Sequence, residues 1–118
     1  MNVLVEFESA ITCNLGSVGR IPLGEGREYQ VAGELIAVFR ERQGRLYAVQ
    51  AQCPHRAGPL ADGIIGGGKV ICPLHALKFD LVTGQALGQG GHELGHECAS
   101  LKTYSVELND RDEILLTL

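Results

Sequence analysis

Two short stretches concentrate the chemistry of this chain. "QCPHRAGPLAD" (52–62) sets Cys53 and His55 two residues apart with Pro54 between them, and "ICPLHALKFD" (71–80) sets Cys72 and His75 three apart. Sixteen positions, 56–71, lie between the two pairs. In each pair a proline, Pro54 or Pro73, directly follows the cysteine. Its fixed φ and missing N–H shape a rigid turn around a ligand. Two such turns side by side offer two thiolates and two imidazoles. Zinc takes that set at one tetrahedral centre. A mixed-ligand [2Fe–2S] cluster takes the two cysteines on one iron and the two histidines on the other. Ligand types alone leave both open.

The elements that must hold these turns read as strands. "GELIAVFRE" (33–41) is a nearly continuous apolar run, "GRLYAVQA" (44–51) follows it, and Arg42, Gln43 and Gly44 form the turn of a hairpin. "KVICP" is a further short run, so each ligand pair comes directly after a predicted strand. In "LKTYSVEL", Tyr104, Val106 and Leu108 are expected on one face and Lys102, Ser105 and Glu107 mostly on the other. "NDRDE" (109–113) is a polar turn before a last strand, "ILLTL", and "NVLVEF" and "REYQV" are weaker strand candidates. No stretch of ten or more residues has clean helical periodicity. Sixteen glycines punctuate the runs. The expectation is one all-β domain over 1–118, an antiparallel sandwich or barrel.

Bulk properties narrow the function. With 118 residues, 45% hydrophobic and 20% charged, the chain suits a folded globular domain. A formal charge of −4 argues against nucleic acid and permits docking to a basic patch on a protein. Charges interrupt every candidate membrane span. "MNVLVEFE" lacks a basic leader region, so a cytoplasmic location is expected. The chain is large enough to fold without disulfides, which favours metal-ligating thiolates for at least two of Cys13, Cys53, Cys72 and Cys98.

"CPHRAGPL", "ICPLH" and "FDLVTG", taken together, closely resemble the signature of the Rieske [2Fe–2S] proteins, and the likeness runs over about 14–118. Within that family "CPHRAGPLADG" with "KVICPLH" looks most like the small subunit of bacterial NAD(P)H-dependent nitrite reductase, with the ferredoxins of aromatic-ring dioxygenases next. The resemblance implies a Rieske-type antiparallel β fold with two cluster-binding loops. It implies that Cys53 and Cys72 ligate a buried iron, that His55 and His75 ligate an outer iron, and that the imidazole edges are the electron port. Neutral imidazoles in place of two thiolates make the cluster less negative and easier to reduce. High-potential relatives add a disulfide between the loops and a serine hydroxyl on a cluster sulfide. Gly58 and Leu74 stand where that disulfide would be, and "HALKF" lacks the serine, which implies a midpoint of about −150 to 0 mV. Loss of an imidazole proton in the oxidised state would couple that potential to alkaline pH. Ala57 and Ala76 stand where the family often has glycine, and Leu77 where an aromatic is common.

Other motifs compete. "HELGH" matches the pattern of zinc proteases, with His92 and His96 as ligands and Glu93 as base. That chemistry needs a helix, and Gly88, Gly90, Gly91 and Gly95 crowd the segment. It reads instead as a loop. Cys13 and Cys98 read as small hydrophobes, and Asp80, Thr83 and Gly84 as a turn supporting the second loop. Arg56 and Lys78 flank the ligands and read as solvated charges, either of which could steer docking.

The expected function is one-electron transfer. No small-molecule substrate is bound, and catalysis lies in a redox partner, a reductase or a catalytic large subunit. In a nitrite reductase, electrons would pass from NAD(P)H to a large subunit that reduces nitrite to ammonia. In a dioxygenase system, a flavin reductase would donate and a terminal oxygenase accept. A structural or regulatory subunit whose metal only staples the loops is a second class of function, and a zinc hydrolase at "HELGH" a third.

Overall fold

The computed structural model describes residues 11–54, 58–74, 77–87 and 100–118. Ten strands carry them: β1 (Thr12–Ser17), β2 (Glu25–Val31), β3 (Glu34–Arg40), β4 (Leu46–Gln50), β5 (Ile64–Gly66), β6 (Lys69–Ile71), β7 (Lys78–Asp80), β8 (Ala86–Leu87), β9 (Thr103–Leu108) and β10 (Glu113–Thr117). They form a six-stranded sheet, order β1-β10-β9-β4-β3-β2, and a four-stranded sheet, order β5-β6-β7-β8. All the pairings are antiparallel. Among the described residues the only helical turns are 3-10, Val18–Arg20 and Leu60–Asp62. No helix there is long and apolar enough to cross a membrane.

The continuous apolar run of β3 has a plain cause, since a strand buried on both faces has no reason to alternate. Ala37 and Phe39 face one core, together with Val49, Leu60, Val70, Phe79, Cys53 and Cys72. Ile36 and Val38 face another, with Val18, Ile21, Val31, Ala48, Ile114 and Leu116. β3 and β4 therefore form a wall shared by two cores. The small sheet packs on one side of it, and the β1-β10-β9 end of the large sheet on the other.

The hairpin expected at 33–51 is present as β3–β4, with Gly44 N–H donating to Glu41 O at 2.8 Å. The turn at 109–113 is also present: Asn109 Oδ1 accepts from Arg111 N and Glu113 N, both at 2.9 Å. β9 corrects one expectation. Tyr104 and Val106 pack on the second core as predicted, but Leu108, the last residue of β9, is 40% exposed although its cross-strand partner Ile114 is buried. Strands β1, β5, β7 and β8 are not apparent in the apolar pattern, being short or interrupted by glycine and charge. The candidate strand "NVLVEF" lies outside the described residues.

Candidate metal centre

The two cysteine loops are built alike. Cys53 follows β4, and its N–H donates to Gly58 O at 2.8 Å; Cys72 follows β6, and its N–H donates to Leu77 O at 2.7 Å. Each bond reaches five residues ahead and closes a loop of equal length. Just outside them, Gln52 bridges Pro59 and Ile71 pairs with Lys78, again at matching offsets. Both loops are thus short antiparallel connections with Cys-Pro at the first corner. The histidines break the correspondence, since His55 is the second residue after its cysteine and His75 the third.

Both cysteines are 1% exposed and belong to the same core cluster. The loops meet at Gly58, where an added β-carbon would come within 2.8 Å of Cys72 Sγ and 3.2 Å of Leu74 Cδ1. Only glycine lets the first loop approach the second sulfur so closely. Leu74 itself is 60% exposed, so the second loop runs from a buried sulfur to the surface within two residues. Leu77, one of the departures noted in the sequence, packs partly buried against the core, and its carbonyl closes the loop.

The second loop is braced from behind. Asp80 Oδ1 accepts from Val82 N at 2.8 Å and Thr83 N at 3.1 Å, Gly84 N donates to Asp80 O at 2.7 Å, and Leu101 N donates to Gly84 O at 2.7 Å. This is the turn predicted at Asp80, Thr83 and Gly84, and it ties the β7–β8 connection to the chain entering β9. Lys78 is partly buried at the start of β7.

The structure brings together the cysteine half of the predicted ligand set. Among the described residues, no group of three or more His, Cys, Asp or Glu side chains could hold a metal ion. His55 and His75 lie outside the described residues, as do Arg56, Ala57, Ala76, Cys98 and the His92, Glu93 and His96 of "HELGH". Cys13 packs partly buried against the second core, as a small hydrophobe does. The close approach at Gly58 and the paired carbonyl acceptors were not read from the sequence as loop closures. Their signal was the equal interval from each Cys-Pro to the next chain reversal.

A pair of buried thiols on two matched loops, one imidazole coded beside each, fits a two-iron cluster with sulfur ligands inside. The fold and site thus define a small β protein whose paired loops bring two buried cysteines together. Residues 12–104 match the Rieske [2Fe–2S] domain, and the chain belongs to that family. Its cofactor is the [2Fe–2S] cluster.

The chain is 35% identical over 92 residues to the ferredoxin component of the naphthalene 1,2-dioxygenase system of Pseudomonas aeruginosa, covering 75% of this chain and 78% of that one. A structure described as an NADH-dependent nitrite reductase small subunit from Mycobacterium tuberculosis superposes with a TM-score of 0.78 at 21% identity, covering 92% and 96% of the two chains. A second, described as a nitrite reductase small subunit, gives a TM-score of 0.74 at 27% identity, covering 90% and 97%. The chain spans only 17% and 26% of two oxygenase relatives, the 4β-methylsterol monooxygenase of Methylococcus capsulatus and the vanillate O-demethylase oxygenase subunit of a Pseudomonas.

Proposed function

We propose that Cys53, His55, Cys72 and His75 hold the cluster and that residues 1–118 act as one domain, a cytoplasmic one-electron carrier between protein partners. The observation that carries this reading is the burial of Cys53 and Cys72 in one core cluster, on loops closed by equivalent hydrogen bonds. Cys53 and Cys72 hold the inner iron as thiolates, and His55 and His75 hold the outer iron and form the electron port. When bound, the cluster supplies one-electron oxidation and reduction. The chain's part is to keep the sulfur side dry within the core and to leave the exposed side, marked by Leu74, for a partner. Thiolate ligands suit a reducing compartment.

For the partner, the first reading is the catalytic large subunit of an NAD(P)H-dependent nitrite reductase. It draws support from "CPHRAGPLADG" with "KVICPLH" and from the 27%-identical small-subunit structure. The second is a ring-hydroxylating oxygenase and its reductase, favoured by the 35% identity to a dioxygenase ferredoxin.

The test begins with iron and acid-labile sulfide per chain and the EPR spectrum after dithionite reduction. The expected result is a coloured protein with a mixed-ligand [2Fe–2S] signal; a colourless protein with stoichiometric zinc overturns the reading. Stopped-flow mixing of the reduced chain with each candidate partner then separates the two readings by which one reoxidises it. Turnover of a partner without reduction of this chain would favour a purely structural subunit.

A further inference from the structure

Glu41 is the only charged side chain buried among the described residues, at 4% exposure. Burying a carboxylate costs free energy unless it is hydrogen-bonded, and the bond it makes is specific. Glu41 Oε2 accepts from Gly68 N at 2.5 Å. Gly67 and Gly68, with φ of 60° and 77°, form the two-residue tip of the β5–β6 hairpin. The Gly68 carbonyl in turn accepts from Leu81 N at 2.7 Å, just beyond β7. Glu41 itself is fixed in the β3–β4 turn, its N–H donating to Arg45 O at 2.9 Å and its carbonyl accepting from Gly44 N at 2.8 Å.

The placement of this bond relates the two loops. From the turn that holds Glu41, β4 runs to Cys53. From the tip at Gly68, β6 runs to Cys72. The carboxylate therefore joins the roots of two strands whose far ends carry the cysteines. Tyr47 of β4 also lies against Gly68, where an added β-carbon would stand 3.5 Å from its hydroxyl. Clefts of about 580 Å³ and 380 Å³ lie on either side, sharing Glu41, Gln43 and Gly67 in their walls. The hydrogen bond crosses between them.

We infer that Glu41 is a positioning residue for the cluster: by clasping Gly68 it sets the register between the strand that delivers Cys53 and the strand that delivers Cys72. The inference rests on the reading of those cysteines as ligands. The test compares wild type, Glu41→Ala, Glu41→Gln and Ile114→Val, the last a reference that loosens the second core away from the loops. All are reconstituted, and the readouts are the EPR spectrum of the reduced cluster, the rate at which visible absorbance bleaches in air, and the melting temperature.

Glu41→Ala is expected to bleach about tenfold faster, the scale of one lost charge-assisted hydrogen bond, and to broaden or shift the EPR signal. Glu41→Gln keeps an acceptor and stays near wild type, while Ile114→Val lowers melting and leaves the EPR signal in place. Should Glu41→Ala fail to accumulate, Glu41→Asp withdraws the carboxylate by one methylene and is read the same way. Glu41→Ala, or Glu41→Asp in its place, melting lower like the reference but keeping the wild-type spectrum and bleaching rate overturns the inference. Absence of the mixed-ligand signal from wild type would instead defeat the ligand reading.

Discussion

Gly58 and Cys72 approach so closely that a β-carbon on the glycine would stand 2.8 Å from the cysteine sulfur. The first loop touches the second at the sulfur proposed to hold the metal. Gly58→Ala is therefore expected to push Cys72 or Leu74 outward. Overpacking of this kind costs about 1–3 kcal/mol. Iron per chain should fall along with the melting temperature. Full iron content at an unchanged melting temperature would show that the loops separate freely.

The same contact bears on the potential. Gly58 lies against Leu74, so the pair that would carry a bridging disulfide carries none. The N–H groups of Cys53 and Cys72 are also committed, donating to Gly58 O and Leu77 O, and so do not stabilise added charge on the cluster. Fewer donors mean a lower potential. A redox titration is expected to give a midpoint of about −150 to 0 mV, and a strongly positive value contradicts the argument.

Much of this was legible in the sequence because its causes are local. The run through Ile36, Ala37, Val38 and Phe39 announces a strand, and Cys-Pro announces the first corner of each loop. The sequence did not reveal that this run faces two cores, since a strand buried on both faces and one buried on a single face of a thick core carry the same letters. Strands β5, β7 and β8 exist because their neighbours pair with them: Ile65, Val70, Phe79 and Ala86 align across four strands only once the small sheet is assembled. Glu41 closes the apolar run at 33–41, and nothing in that pattern singles it out. Its partner, the amide of Gly68, is a backbone group that no side-chain pattern encodes. Leu108 shows the converse error, where alternation continued to a strand end whose side chain stays exposed although its partner Ile114 is buried.

Removing the metal should loosen the protein. Cys53 and Cys72 sit in the core, and a cluster held between their loops links strands that are distant in sequence. Ligand binding to the folded state alone adds to its stability. Chelation of the iron under denaturant-free conditions is expected to lower the melting temperature, and reconstitution to restore it. Cys53→Ser and Cys72→Ser should each accumulate without colour and melt like the metal-free wild type. Equal melting with and without iron would place the cluster outside the load of the fold.

Tyr104 gives a pH test in a different part of the molecule. Its O–H donates to Glu34 Oε1 at 2.6 Å, across β4, and Lys102 Nζ lies 5.2 Å from the ring centroid and 3.7 Å from the same carboxylate oxygen. Burial, and then the hydrogen bond and charge of Glu34, push the phenol up to about 12. Because the fold favours the neutral phenol, this contribution to stability is complete below the unfolded value of about 10 and is lost as pH rises through about 12. Alkaline titration of tyrosinate absorbance should show a late phase that Tyr104→Phe abolishes. Glu34→Gln should move that phase to lower pH, since it keeps an acceptor and removes the charge. At neutral pH Tyr104→Phe is expected to cost about 1 kcal/mol, with cluster content unchanged. A Tyr104 that ionises near the unfolded value of about 10 would mean that the bond to Glu34 does not persist in solution.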